Sequence, residues 1–146
     1  MSRARFVLLI VITFLFSSIT LNKSAVNFLY PDIESILQEA GWLEYVRNNI
    51  DVMNYVYDDG FIVNDKTVVG VSYIDMFKRR VAEVAVYREP IEISKTIVHE
   101  AGHHEYKHLN KEYNPGESEI YAEIKEYNSY ADYLRARLIQ AMNCPN

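Results

Sequence analysis

Residues 93 to 109 read Ile-Ser-Lys-Thr-Ile-Val-His-Glu-Ala-Gly-His-His-Glu-Tyr-Lys-His-Leu, a run whose pattern predicts a helix. At its centre His99-Glu100-Ala101-Gly102-His103 has the form H-E-x-x-H. On a helix, residues four apart stack on one face, so two imidazoles can reach one ion at about 2.0–2.1 Å. Glu100 points obliquely across that face, toward a water on the open position of a metal rather than toward the metal. Zinc lowers the pKa of such a water to roughly 7, and a neighbouring carboxylate can then take its proton. The small residues Ala101 and Gly102 allow a sheet, or the backbone on a substrate's side, to come close to the helix.

Outward from this segment, Asn110 to Gly116 is a break containing Pro115 and Gly116. A final helix is expected from there to about Ala141. Ile120, Ile124, Tyr127, Ala131, Leu134 and Leu138 step by four and three along it and form its expected inward seam. Before the motif, Phe61 to Val63, Thr67 to Ile74 and Val81 to Tyr87 are rich in strand-forming residues, with a hairpin turn at Asn64-Asp65-Lys66. Pro31 opens a helical stretch to about Tyr57, with a bend at Gly41 and an end at Asp58-Asp59-Gly60. The order helix, small sheet, helix, helix predicts an α+β fold, the sheet packed on the motif helix and a following antiparallel helix.

The H-E-A-G-H segment resembles the zincin metallopeptidases over about residues 93 to 135. The metzincin branch adds a Gly and a third His, but Tyr106 and Leu109 stand at those positions and His108 falls one residue early. The gluzincin branch takes a Glu from a following helix, where this chain has Glu117, Glu119, Glu123 and Glu126. That resemblance implies a compact gluzincin-like peptidase, with zinc on His99, His103 and one of these glutamates, and Glu100 as general base. Two antiparallel helices paired about position 112 set Glu123 near the level of the two histidines, and its distance from His103 matches the thermolysin-like spacing. Glu119 and Glu117 remain alternatives for the third ligand. Glu117 resembles the first Glu of the compact members' E-x-E-A-D pattern, although Ile120 and Tyr121 depart from it. Glu117 also stands three residues after Asn114, an arrangement that caps a helix without any metal. His104 and His108, also four apart, read as a polar flank or as a second metal pair. Tyr121, Tyr127 and Tyr130 are candidates to stabilise an oxyanion.

At the N-terminus, Arg3 and Arg5 precede the uncharged apolar run Phe6 to Leu21. This is the pattern of a signal peptide or, with flanking residues reaching to the interface, of a membrane anchor; as a helix the run covers about 24 Å of a roughly 30 Å hydrocarbon core. Residues 1–25 are therefore read as a targeting or anchoring segment and 26–146 as one domain facing away from the cytoplasm, secreted or periplasmic, or tethered to a membrane through residues 6–21. The single cysteine, Cys144, excludes an internal disulfide and a cysteine-rich zinc site. A net charge of −5 without a concentrated basic face argues against a nucleic-acid partner. The expected partner is a peptide or protein substrate. Two other readings stand beside this one: an inactive zincin-like protein kept for metal binding or interaction, and an anchored interaction protein whose final helix docks a partner.

Overall fold

Gly41 does more than bend the first helical stretch; it ends it. The structure, a computed structural model, describes Val26, Phe28 and residues 30–144, so the targeting or anchoring segment expected at 1–25 lies outside the described residues. Helix α1 runs Pro31–Glu39, with proline in its first turn and Ile33 and Leu37 buried. Gly41 then takes φ +77°, its N–H donating to the Gln38 carbonyl and that of Trp42 to the Leu37 carbonyl. This is the Schellman stop, a left-handed position that glycine occupies without strain. A second short helix, α2, Leu43–Asn49, buries Leu43 and Val46.

The stretch that follows corrects the expectation of a helix to Tyr57. Val52–Val56 is strand β1. Its β-branched and aromatic residues suit a pleated surface, and pairing with a strand distant in sequence decides the matter. Two short strands, β2 (Phe61–Val63) and β3 (Lys66–Val68), form the expected hairpin, with Asn64 and Asp65 both at positive φ, 50° and 62°. That is the two-residue turn whose twist matches its strands. The run expected as one strand from Thr67 to Ile74 is interrupted at Val69, and β4 covers Gly70–Ile74. Strand β5, Arg80–Ala85, lies in the middle of the three-stranded sheet, order β1-β5-β4, parallel to β1 and antiparallel to β4. Flanked on both edges, it is buried at Val81, Ala82, Val84 and Ala85.

Helix α3, Pro90–Leu109, packs its Ile93, Ile97, Val98 and Ala101 with Ala82, Val84 and the buried residues of α1 and α2 into one core. His104 belongs to this junction, its Nε2 donating to the Val81 carbonyl at 2.9 Å, and so acts as a buried tie between helix and sheet. Helix α4, Pro115–Asn143, is capped by Asn114, whose Oδ1 accepts from the N–H groups of Gly116 and Glu117. It runs antiparallel to α3, and here the expected inward seam is corrected. Ile120, Ile124, Tyr127, Leu134 and Leu138 are 50–72% exposed, while Ser118, Ala122 and Ser129 face the body. A Cβ on Gly102 would stand 2.9 Å from the Cα of Ala122. At that separation only small residues fit between the helices. The chain is thus a mixed α+β unit, and among the described residues no helix is long and apolar enough to cross a membrane.

Asp51 and Arg80 hold the start of the parallel β1–β5 pairing. The guanidinium donates to both carboxylate oxygens at 3.0 and 2.7 Å, and the Arg80 N–H donates to Asp51 as well. These hydrogen bonds from Arg80 outweigh desolvation and hold the Asp51 carboxyl down at about 2. A depressed folded-state pKa contributes stability above the unfolded value and loses it as pH falls toward the folded one. With its side chain 33% exposed, solvent screening leaves the pair worth about 1–2 kcal/mol. Asp51→Asn should lose that amount at neutral pH in urea unfolding, and the difference from wild type should shrink between about pH 4 and pH 2.

Candidate metal centre

Two turns of α3 bring His99 and His103 onto the side of the helix that faces α4, above the Gly102–Ala122 contact. Each imidazole is oriented through its Nδ1. That of His99 is 3.1 Å from Glu126 Oε2, and that of His103 is 2.8 Å from Ser118 Oγ. The Glu126 carboxylate can only accept, so the Nδ1 of His99 carries a proton, a tautomer assigned from the network, while the Ser118 hydroxyl orients His103. The two Nε2 atoms lie 3.1 Å apart, a separation that either a proton on His99 or a cation held by both rings accommodates. The carboxylate of Glu119 completes the group, its oxygens 3.4 Å from His99 Nε2 and 3.5 Å from His103 Nε2. Tetrahedral zinc, with bonds of about 2.0–2.2 Å, places its ligand atoms about 3.3–3.5 Å apart. Two imidazoles and a carboxylate at these separations fit such an ion, and His99, His103 and Glu119 are able to hold a metal.

The sequence-derived pairing about position 112 is correct in level, since Gly102 meets Ala122 and His103 meets Ser118. It is wrong in azimuth. The apolar seam of α4 faces solvent, and Glu123 with it; the residue lines a neighbouring depression with Lys95, Ile124 and Tyr130. Glu119, one turn earlier, is the glutamate brought to the Nε2 atoms of both histidines. Glu117 accepts a hydrogen bond from the Tyr106 hydroxyl at 2.7 Å and ties α4 to α3. Its N–H is capped by Asn114, while its carboxylate serves Tyr106. His108 is exposed, apart from the buried His104, so these two do not form a pair.

Glu100 lies on the sheet side of the two histidines, only 4% exposed. Burial pushes its carboxyl up to about 7, against the lowering influence of His99 and a hydrogen bond with Ser72 of β4. Burial also opposes charge on His99, but the bond to Glu126 and the carboxylates of Glu100 and Glu119 hold its pKa above the ordinary value. Burial, followed by the neighbouring His99, lowers His103 to about 4 and keeps it neutral, the form that ligates. A Cβ on Gly70 would stand 2.5 Å from Glu100 Oε1 and 2.6 Å from Thr96 Cγ2, so a larger residue there would displace the carboxylate.

A cleft of about 570 Å³ runs between β4 and the two helices, with His99, Glu100, His103 and Glu119 in its wall. Arg88 and Tyr113 line it also, both missed by the motif. Of the tyrosines named from sequence, Tyr121 donates to Glu105 at 2.7 Å, and Tyr127 and Tyr130 border the other depression. Ser118 carried no signal in the sequence, and Glu126, named there among the candidate ligands, instead holds the Nδ1 of His99; it stands two turns beyond Glu119. Comparison with protein-family models, curated proteins and solved structures finds no match.

Removal of one ligand carboxylate should separate the two glutamates. Glu119→Ala should weaken zinc binding at least tenfold in a competition titration with a metallochromic chelator, and Glu123→Ala should leave it within about twofold. The reverse pattern would restore the thermolysin-like spacing and reject the geometry described above.

Proposed function

We propose that this chain is a zinc-dependent metallopeptidase of gluzincin-like character that hydrolyses peptide bonds, working outside the cytoplasm as an exported or membrane-anchored domain. The observation that carries the reading is the convergence of His99, His103 and Glu119 beside the buried carboxylate of Glu100. When bound, zinc would supply a Lewis acid that acidifies a water and polarises the substrate carbonyl. The residues of the chain divide the remaining work. Glu126 fixes the tautomer of His99, and Glu126 and Ser118 together set the tilt of the imidazoles. Glu100, buried beside the two histidines, takes a proton from the attacking water and returns it to the departing amine. Ser72 holds that carboxylate in place.

The substrate's path follows from the sheet. Strand β5 is paired on both sides and has no free edge. The edge strand is β4, and Gly70, Val71 and Ser72 line the cleft. An extended peptide laid along β4 gains backbone hydrogen bonds irrespective of its sequence. Export rests on Arg3, Arg5 and the apolar run Phe6 to Leu21.

Glu100→Gln should keep zinc and fold, yet lose 10²- to 10⁴-fold in activity on an unbiased peptide library, because an amide cannot accept the proton. His103→Ala should lose both metal and activity. A wild-type protein that binds one zinc and cleaves nothing would favour the inactive zincin-like metal-binding protein instead. For location, a reporter active only outside the cytoplasm, fused after Asn146, should give signal; activity of a strictly cytoplasmic reporter in its place would reject export.

A further inference from the structure

The apolar seam of α4 does not cover the body of its own chain, although it is more regular than the face that does. Ile120, Ile124, Tyr127, Ala131, Leu134 and Leu138 alternate steps of four and three, the heptad spacing of a coiled-coil stripe, over about 27 Å of helix. All of them are exposed, the five large ones by 50–72%. Ala122 and Ser129, which are buried against the body, fall at the heptad position opposite the stripe. A second helix lying on the stripe would therefore leave the body on the far side, clear of the contact.

We propose that this face pairs with the same face of a second copy, as a two-fold antiparallel helix pair centred near Ser129. In that register Ile120 lies opposite the partner's Leu138, Ile124 opposite the partner's Leu134, and Tyr127 opposite the partner's Ala131, so the largest side chain of the stripe meets the smallest. The flanking charges agree. Glu123 comes beside the partner's Arg137 and, by symmetry, Arg137 beside the partner's Glu123. Glu123 is exposed, and Arg137 is 56% exposed, with a 3.3 Å hydrogen bond to Gln140 and a long 3.7 Å approach to Glu39, both surface contacts that it can exchange for one across the axis. A parallel pair would set Glu123 against Glu123 levels and Arg137 against Arg137 levels, like charge beside like charge. The antiparallel pair alone satisfies both stripe and charges. This assembly is independent of the metal reading, and it gives a role to Glu123, which lies outside the group of His99, His103 and Glu119.

Single cysteines in the full-length chain carrying Cys144→Ser test the geometry in membrane-containing extracts of expressing cells, with a short bismaleimide. Asn128→Cys, beside the two-fold axis, should cross-link to a species of twice the chain mass. Ala141→Cys should not cross-link to itself, because the two copies of that position are separated by about 36 Å. Ile124→Asp, a change at a position exposed in the single chain, should abolish the Asn128→Cys product. Glu123→Arg should reduce it at least fivefold, and Glu123→Arg with Arg137→Glu should restore it. The absence of a product at position 128, as expected if a membrane or residues 6–21 cover the stripe, would overturn the proposal. So would self-cross-linking at 141, which marks a parallel pair, or a charge swap that fails to rescue.

Discussion

The contact of Gly102 with Ala122 sets the distance between α3 and α4, and the remainder of the centre is built on that distance. A glycine on one helix facing an alanine on the other lets the two backbones approach until a Cβ on Gly102 would press on the Cα of Ala122. From that position His103 reaches Ser118 and His99 reaches Glu126, so the helix that supplies the imidazoles is oriented by the helix beside it. At a wider separation these hydrogen bonds would lengthen past useful geometry and the two Nε2 atoms would no longer be aimed at one point. The polar clamps along the same seam, Tyr106 to Glu117 and Lys125 to Glu105, hold the pair in register on either side.

The sheet contributes by a second close approach. Gly70 brings β4 against Glu100, and burial between strand and helix raises the carboxyl toward neutrality. The same glycine is the first residue of β4 and lines the cleft beside that carboxylate. Arg80 and Asp51, far from the cleft, matter here because they fix the register of β1 on β5, and β5 carries β4.

Close helix packing also explains why the apolar stripe of α4 was misplaced by periodicity. A helix that must approach another through Gly102 can present only serine and alanine to it, and Ser118, Ala122 and Ser129 are what it presents. The large apolar residues are displaced to the opposite side, where they are available to another surface. Hydrophobic spacing identifies a stripe that seeks cover; it does not say which neighbour provides it.

Local chemistry by itself determined the H-E-x-x-H helix, the Asn64-Asp65 turn, the Asn114 cap and the break before Pro115, because each depends on residues a few positions apart. It determined the level at which the two long helices pair as well, since rise per residue is the same in both. Tertiary structure decided the rest. Val52–Val56 became a strand because β5, distant in sequence, offered it an edge. Glu119 rather than Glu123 faces the histidines because the rotation of α4 about its axis is set by the small residues it packs, a property of the pair that no single helix contains. Orientation about an axis is a long-range quantity, and neither spacing nor composition along one strand of sequence encodes it.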